Sequence, residues 1–301
     1  MKILVTGSSG FIGRRLARSL AQRGDQVTGA SAENLEIDDV DCLNLDLLDI
    51  EALEVLSSRC SPDVLIHLAG LASVGRSWTH PADYFRVNVL GTENLLRSFP
   101  RAKILFASSA EVYGAVPEEQ QPLSEEMLPA PGNPYALTKA AAERLVEAAG
   151  GTVVRFFTIV GAGQSRRFAL PSFAEQLAEL RCSGGGTMKV GNLSAQRDFL
   201  HVEDAVEAMV VLTDSELPET VYNVGGGEVV SIRQALDRLI ALSGVEVKVE
   251  VDAERMRPID VPLQSANTAR LRSLGWTTRR TLGDALSEIW QESLEAVSAS
   301  A

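Results

Sequence analysis

Short apolar runs along this chain alternate with longer stretches in which apolar residues recur every three or four positions. The runs fall at residues 3–5, 26–28, 42–45, 64–68, 104–107 and 153–157. Between them, residues 11–23, 50–59, 81–99 and 134–149 carry the spacing that predicts helices with one apolar face. Strands that are apolar throughout and alternate with helices predict an α/β fold, a doubly wound parallel sheet covered on both sides. A proline-rich, acidic stretch over residues 118–134 breaks the rhythm and predicts a long loop of the kind that covers substrates. Beyond Gly161 the alternation loosens. A helix near residues 171–181, a Gly184-Gly185-Gly186 turn and short strands predict a second, smaller lobe. The chain is expected to return to the first domain over residues 199–223. The first domain then comprises residues 1–165 and 199–224, and the interleaved C-terminal lobe residues 166–198 and 225–301.

With 301 residues, 45% of them hydrophobic, the chain can bury a core larger than one compact layer needs. Its net charge of −12 argues against nucleic acid as a partner, because an acidic surface repels phosphate backbones. A buried cationic pocket for a diphosphate is compatible with that exterior. Cys42, Cys60 and Cys182 are far apart and form no CxxC pair, so they read as reduced, mostly packed thiols of a cytoplasmic protein. His67, His80 and His201 lack metal-ligand spacing, and no metal is expected. The chain begins on a strand-like run, and neither an export signal nor a membrane span is expected.

The run Thr6-Gly7-Ser8-Ser9-Gly10-Phe11-Ile12-Gly13 follows a strand and opens a helix, the context a dinucleotide-binding turn requires. Gly7 and Gly10 allow a tight turn and close approach of backbone to a pyrophosphate. Gly13 lets the helix pack on the sheet and aim its positive end at the phosphates. Asp46, expected to end the third strand, is a candidate acceptor for the adenine amino group and equally a candidate helix cap. No carboxylate directly follows the second strand at residues 29–31 to claim ribose hydroxyls, while Arg14 and Arg15 are candidates for a 2′-phosphate. This favours NADPH slightly over NADH.

Downstream lies Asn133-Pro134-Tyr135-Ala136-Leu137-Thr138-Lys139. With Asn133 as cap and Pro134 in the first helical position, Tyr135 and Lys139 share one helix face. A free phenol titrates near ~10, and a neighbouring ammonium with a cationic nicotinamide draws it towards neutrality, where it exchanges protons with a sugar or alcohol oxygen. The spacing alone also describes an ordinary surface pair. Behind a dinucleotide turn it implies redox chemistry.

Four ordered motifs, TGSSGFIG from Thr6, HLAG from His67, SSAEVYG from Ser108 and YALTK from Tyr135, together resemble the extended short-chain dehydrogenase/reductases over nearly the whole chain. The runs VGAGQSRRF from Val160, VGNLSAQRDFLHVEDAVEA from Val190 and RMRPIDVP from Arg255 are similar to the nucleotide-sugar branch that handles GDP-mannose derivatives. What the resemblance implies is a Rossmann fold, a homodimer built by the helices 81–99 and 134–149, and cofactor contacts from Gly7, Gly10, Phe11, Ile12, Gly13, Asp46, Leu47, Leu68, Ala69, Gly70, Tyr135 and Lys139. It further implies that Ser109 binds the reacting sugar oxygen, Tyr135 exchanges the proton, and Lys139 holds the nicotinamide ribose while tuning the tyrosine. Ser108 is expected to bond backbone, and Asn88 to bend a helix or bond backbone near the site. Arg197 and Arg257 match positions that clamp a nucleotide diphosphate, and Asp260 one that takes a ribose hydroxyl; Asn192 and Leu193 are weaker candidates. Thr158 replaces an asparagine that normally contacts substrate, which leaves the sugar open.

The activity so implied is reduction of the 4-keto group of a 4-keto-6-deoxy nucleotide sugar, GDP-linked in preference, by hydride from NAD(P)H. A 4,6-dehydratase or 4-epimerase uses the same triad, and Glu111 keeps that alternative open as a base for carbon 5, although Ala110 supplies no acid beside it. A third reading is a nucleotide-sensing module without catalysis; such modules commonly lose the tyrosine or the lysine, and both are present here.

Overall fold

The structure, a computed structural model, describes residues 1–34, 36–256 and 259–300. The first half of the chain runs β1 (Lys2–Thr6), α1 (Phe11–Gln22), β2 (Gln26–Ser31), β3 (Asp41–Asn44), α2 (Ile50–Arg59), β4 (Val64–His67), α3 (Val74–Thr79), α4 (Pro81–Tyr84), α5 (Gly91–Ser98), β5 (Lys103–Ser109), α6 (Pro134–Ala148) and β6 (Thr152–Phe156). There follow β7 (Thr158–Val160), α7 (Ala169–Cys182), β8 (Gly186–Val190), β9 (Gln196–His201), α8 (Val202–Asp214), β10 (Val221–Val224), β11 (Glu228–Ser231), α9 (Ile232–Ser243), β12 (Val247–Val251), β13 (Leu263–Gln264), α10 (Ala269–Ser273) and α11 (Leu282–Ser300).

Seven parallel strands form the main sheet in the order β10-β6-β5-β4-β1-β2-β3. Successive side chains alternate between its faces. Ile3 and Val5 join a core with Leu16, Ala17 and Leu20 of α1 and Met209 of α8, whereas Leu4 joins one with Leu53 of α2, Leu95 of α5 and Val146 of α6. Both faces are covered, which is why these strands read as unbroken apolar runs. The strand order reverses between β1 and β4, and in such sheets the crevice outside the carboxyl ends at that point takes the ligand. The smaller lobe pairs β9 with β7, β11 and β13, adds the two-stranded β12-β8 pair, and packs α7, α9 and α11 around its own core.

Five expectations change. The helix expected over 81–99 is divided: α4 and α5 flank a π-helical stretch, Phe85–Leu90. Asn88 lies in that stretch and its amide is bonded across to Leu71, accepting from the Leu71 N–H and donating to the Leu71 carbonyl. The helix α3, not anticipated, starts at Ser73, whose hydroxyl accepts from the Arg76 N–H. Residues 199–201 belong to the smaller lobe, because β9 pairs with β7, β11 and β13; α8 and β10 are the parts that return to the main sheet. Residues 158–160 likewise pair with β9 rather than extending the first domain. Cys182 is exposed rather than packed, while Cys42 and Cys60 are half-buried. Among the described residues no helix is long and apolar enough to cross a membrane.

Two glycines separate geometric need from mere presence. A Cβ on Gly13 would lie 2.1 Å from the Gly7 carbonyl oxygen, whereas one on Gly75 in α3 meets nothing within 4 Å. Gly13→Ala is therefore expected to lower unfolding stability by about 1–3 kcal/mol or more. Gly75→Ala is expected to raise it by about 0.4–1 kcal/mol through helix propensity and unfolded-state entropy. Urea unfolding of both variants checks the pair.

Candidate active site at the carboxyl edge of the sheet

The turn from β1 to α1 is a backbone cradle. Gly7 has φ of +72°, and a Cβ there would stand 2.7 Å from the Ala69 nitrogen in the segment after β4; one on Gly10 would stand 3.1 Å from the Gly7 oxygen. Gly10 caps α1 without any side-chain hydrogen bond, so the N–H groups of the first turn, at Phe11 and Ile12, have no side-chain cap. A cradle that side chains would fill, facing the positive pole of a 12-residue helix, fits a dinucleotide pyrophosphate. Leu68 and Ala69, half-buried, and the exposed Gly70 continue from the end of β4 beside it.

Asp46 is exposed, lies beyond the end of β3, and accepts from the Leu48 N–H at 2.9 Å. It does not cap α2; Asp49 does, accepting from the Ala52 N–H at 3.0 Å. Leu47 is buried. Arg15 is committed elsewhere: its guanidinium donates to Glu203 at 2.9 Å, to the Phe11 carbonyl and to the Ala162 carbonyl at 2.7 Å. Arg14 remains exposed and reaches back towards the Ser9 carbonyl at 3.4 Å.

Tyr135 enters from α6. Asn133 caps that helix by accepting from the Ala136 N–H at 2.8 Å, and Pro134 takes the first position, so the local sequence fixes where the tyrosine emerges. The Asn133 amide also donates to Glu111 at 2.8 Å, drawing that half-buried carboxylate to the mouth of the site. Ser109 ends β5; its hydroxyl accepts from the Glu111 N–H at 3.2 Å and stands beside the Tyr135 phenol. Tyr84 stacks edge-on against Tyr135, with ring centroids 6.4 Å apart.

The electrostatics differ from the sequence expectation. Burial pushes the Tyr135 phenol well above the ordinary tyrosine value; the Ser109 hydroxyl opposes this, and the Glu111 and Tyr84 charges reinforce it. Desolvation leads, and Lys139 is not among the groups that move the phenol. The phenol is therefore held protonated, as a proton donor must be. Burial draws Lys139 down to about 7, with the Glu143 carboxylate opposing. Its Nζ lies 4.1 Å from the centre of the Phe106 ring. Beside it His67 bridges the Thr6 and Thr92 hydroxyls and is lowered to about 3 by burial and by Lys139, so it stays neutral.

Beneath Lys139 is a group absent from the sequence candidates. Glu143, 1% exposed, accepts both from Arg155 Nε at 3.0 Å and from Arg155 Nη2 at 2.8 Å. Ser108 donates to the same carboxylate at 2.5 Å, not to backbone as expected. The signal was present in the sequence: Glu143 extends the Tyr135 and Lys139 face by one more step of four.

The second group of candidates lies in the smaller lobe. Arg197 on β9, 6% exposed, donates to Asp260 at 2.8 Å and to the Val261 carbonyl at 2.7 Å, and Asn192 donates to the other oxygen of Asp260 at 2.8 Å. The expected clamp arginine and the expected ribose acceptor are thus paired with each other. Leu193 is half-buried against the smaller lobe's core. Arg257 lies outside the described residues. Thr158 opens β7 immediately after β6 and pairs with Phe199 of β9, so the main sheet's carboxyl edge leads directly into the strand pair that carries Arg197. Among the described residues no His, Cys, Asp and Glu group is arranged to hold a metal ion.

The family model described as NAD dependent epimerase/dehydratase matches residues 3–225. The chain is 33% identical to GDP-6-deoxy-D-mannose reductase of Pseudomonas aeruginosa over 96% of this chain and 95% of that protein. It is 31% identical to UDP-glucose 4-epimerase of Bacillus subtilis over 97% and 96% respectively. Among solved structures it is similar to RMD from Pseudomonas aeruginosa complexed with NADPH, with a TM-score of 0.85 and 32% identity over 98% of this chain and 99% of that one.

The burial of His67 sets an acid limit on stability. Its pKa is about 3 folded against 6.5 in the reference state. Between these values the unfolded chain binds more protons, so stability falls as pH drops, by up to about 1.4 kcal/mol per pH unit from this group. In His67→Gln that part of the slope is expected to vanish when urea unfolding is compared at pH values of about 6.5 and 4.5; an unchanged slope would contradict it.

Proposed function

The chain belongs to the NAD dependent epimerase/dehydratase family, and from that premise we propose that it is a reductase acting on the 4-keto group of a 4-keto-6-deoxy nucleotide sugar, GDP-linked. The observation that carries this is the buried Tyr135 phenol, held protonated by its surroundings, with the Ser109 hydroxyl beside it. When bound, the reduced nicotinamide supplies the hydride. Tyr135 gives its proton to the alkoxide formed at carbon 4, and Ser109 hydrogen-bonds that oxygen as charge develops. Lys139 holds the nicotinamide ribose. The pyrophosphate falls to the cradle of Gly7, Gly10, Phe11, Ile12 and Gly13, with Leu68, Ala69 and Gly70 beside it and Asp46 and Leu47 towards the adenine. NADPH is the preferred cofactor in this reading. Exposed Arg14 and the lack of a carboxylate directly after β2 support that preference, as does similarity to an NADPH complex.

On the substrate side Arg197 engages the diphosphate, with Arg257 as its partner, while Asn192, Asp260 and Thr158 meet ribose and sugar. Guanidinium groups suit a diphosphate because they bond its oxygens in pairs. The GDP preference is supported by the likeness to GDP-6-deoxy-D-mannose reductase over almost the full chain. Glu111, drawn to the site by Asn133, favours a second reading as an epimerase or dehydratase, and epimerases are among the similar proteins. The complete Ser109, Tyr135 and Lys139 set speaks against a non-catalytic sensor.

Mixing the protein with NADPH and freshly made GDP-4-keto-6-deoxy-D-mannose distinguishes these readings by cofactor absorbance. Stoichiometric oxidation is expected, and Tyr135→Phe should slow it by about 10²- to 10⁴-fold. Turnover of UDP-glucose or GDP-mannose without net cofactor oxidation, and none of the keto sugar, would overturn the reductase in favour of the second reading.

The assembly we propose is a homodimer through α6 and the 85–90 stretch. These elements pack on each other and leave Phe85, Leu90 and Leu137 exposed at 42%, 50% and 47%. Light scattering should give about twice 32.3 kDa; a monomer mass would contradict it.

A further inference from the structure

The geometry points to Glu143 as a positioning residue that keeps Lys139 in its ammonium form inside the site, with Arg155 and Ser108 fixing the carboxylate in place. Tyr135, Lys139 and Glu143 follow one another at steps of four on α6, so each stands over the next on one helix face, and all three are buried, at 8%, 7% and 1% exposure. An amine in such a place loses its hydration and with it the charged form, unless a charge of opposite sign is supplied.

The groups around the amine show where that charge comes from. From its own helix come the neutral phenol of Tyr135 and the carboxylate of Glu143. His67, from β4, is held neutral. Phe106, from β5, presents its ring face at 4.1 Å, a favourable but weaker contact for a cation. Arg155, from β6, binds both Glu143 oxygens, and its guanidinium lies 4.7 Å from the centre of the Tyr113 ring on the far side. Even with Glu143 present, burial brings Lys139 to about 7. Of the charges around the amine, that of Glu143 opposes this shift.

The buried pair itself asks for this explanation. Glu143 and Arg155 are 2% and 3% exposed in their side chains. A buried ion pair is seldom more stabilising than apolar residues of the same volume, whereas removing one partner costs about 3–5 kcal/mol. Stability alone would be served as well by a leucine and a methionine. A carboxylate one turn below the site's lysine does something that they cannot.

This inference rests on the reductase reading only for the use made of Lys139, and its test needs neither substrate nor cofactor. The chain has five lysines, Lys2, Lys103, Lys139, Lys189 and Lys248. With lysine labelled by ¹³C at Cε, each can be titrated by NMR, and Lys139 is assigned by the signal lost in Lys139→Met. The wild-type midpoint is expected near 7. In Glu143→Gln, which keeps the shape and loses the charge, it should fall by about one pH unit or more, a roughly tenfold drop in the ratio of ammonium to free amine at a given pH. Ser108→Ala, which removes a hydrogen bond but no charge, should leave it within roughly half a unit. If Glu143→Gln does not fold, Glu143→Gln/Arg155→Met removes both buried charges together and should show a downward shift in the same direction but smaller, because the opposing guanidinium goes with the carboxylate. A midpoint that stays put or rises in the folded variant overturns the inference, and leaves the proposed reaction standing.

Discussion

A lysine and a tyrosine buried side by side on one turn of helix set the terms for everything around them. Water would give each its ordinary acidity; its exclusion pushes the phenol up and the amine down, so that Tyr135 keeps its proton and Lys139 keeps its own only with help. The neighbours follow from that constraint. Ser109 offers the phenol a hydroxyl partner, His67 is pinned between two threonines in neutral form, and the Phe106 ring and Glu143 face the amine.

The scaffold delivers these groups with little freedom. Asn133 and Pro134 fix the start of α6, and Ser109 terminates a strand in the middle of a seven-stranded sheet. The long loop before Asn133 is tied down from the smaller lobe: the Leu123 N–H donates to the Ser265 carbonyl, the Asn267 N–H to the Leu123 carbonyl, and the Gln121 amide to the Leu263 carbonyl. Asp198, completely buried next to Arg197, accepts from the N–H groups of Gly226, Gly227 and Ala266, joining β9 to the segments after β10 and β13. The lobe that carries Arg197 and the loop that leads to Tyr135 are therefore parts of one hydrogen-bonded unit.

Much of this was legible in the chain because it depends on local pattern. Parallel strands buried on both faces leave continuous apolar runs, and a glycine turn between strand and helix leaves its spacing, so the fold class and the cradle could be read directly. The Asn133 cap was equally visible. What escaped depends on side chains reaching across the fold. That Ser108 meets Glu143 rather than backbone, and that Arg15 is held by Glu203, both involve partners far off in the sequence, 35 and 188 positions away. Asp46 and Asp49 are three residues apart, and the start of α2 at Ile50 makes Asp49 its cap. The direction of the Tyr135 shift was misjudged for a related reason: sequence gives the neighbour's charge but not the depth of burial.

The most direct test of the central claim follows the hydride. With NADPH carrying deuterium at the transferable position of its nicotinamide and a GDP-linked 4-keto-6-deoxy sugar, the product should hold one deuterium at carbon 4 of the sugar by NMR, and the Tyr135→Phe protein should yield almost none. Unlabelled product, or label at another carbon, would contradict the account.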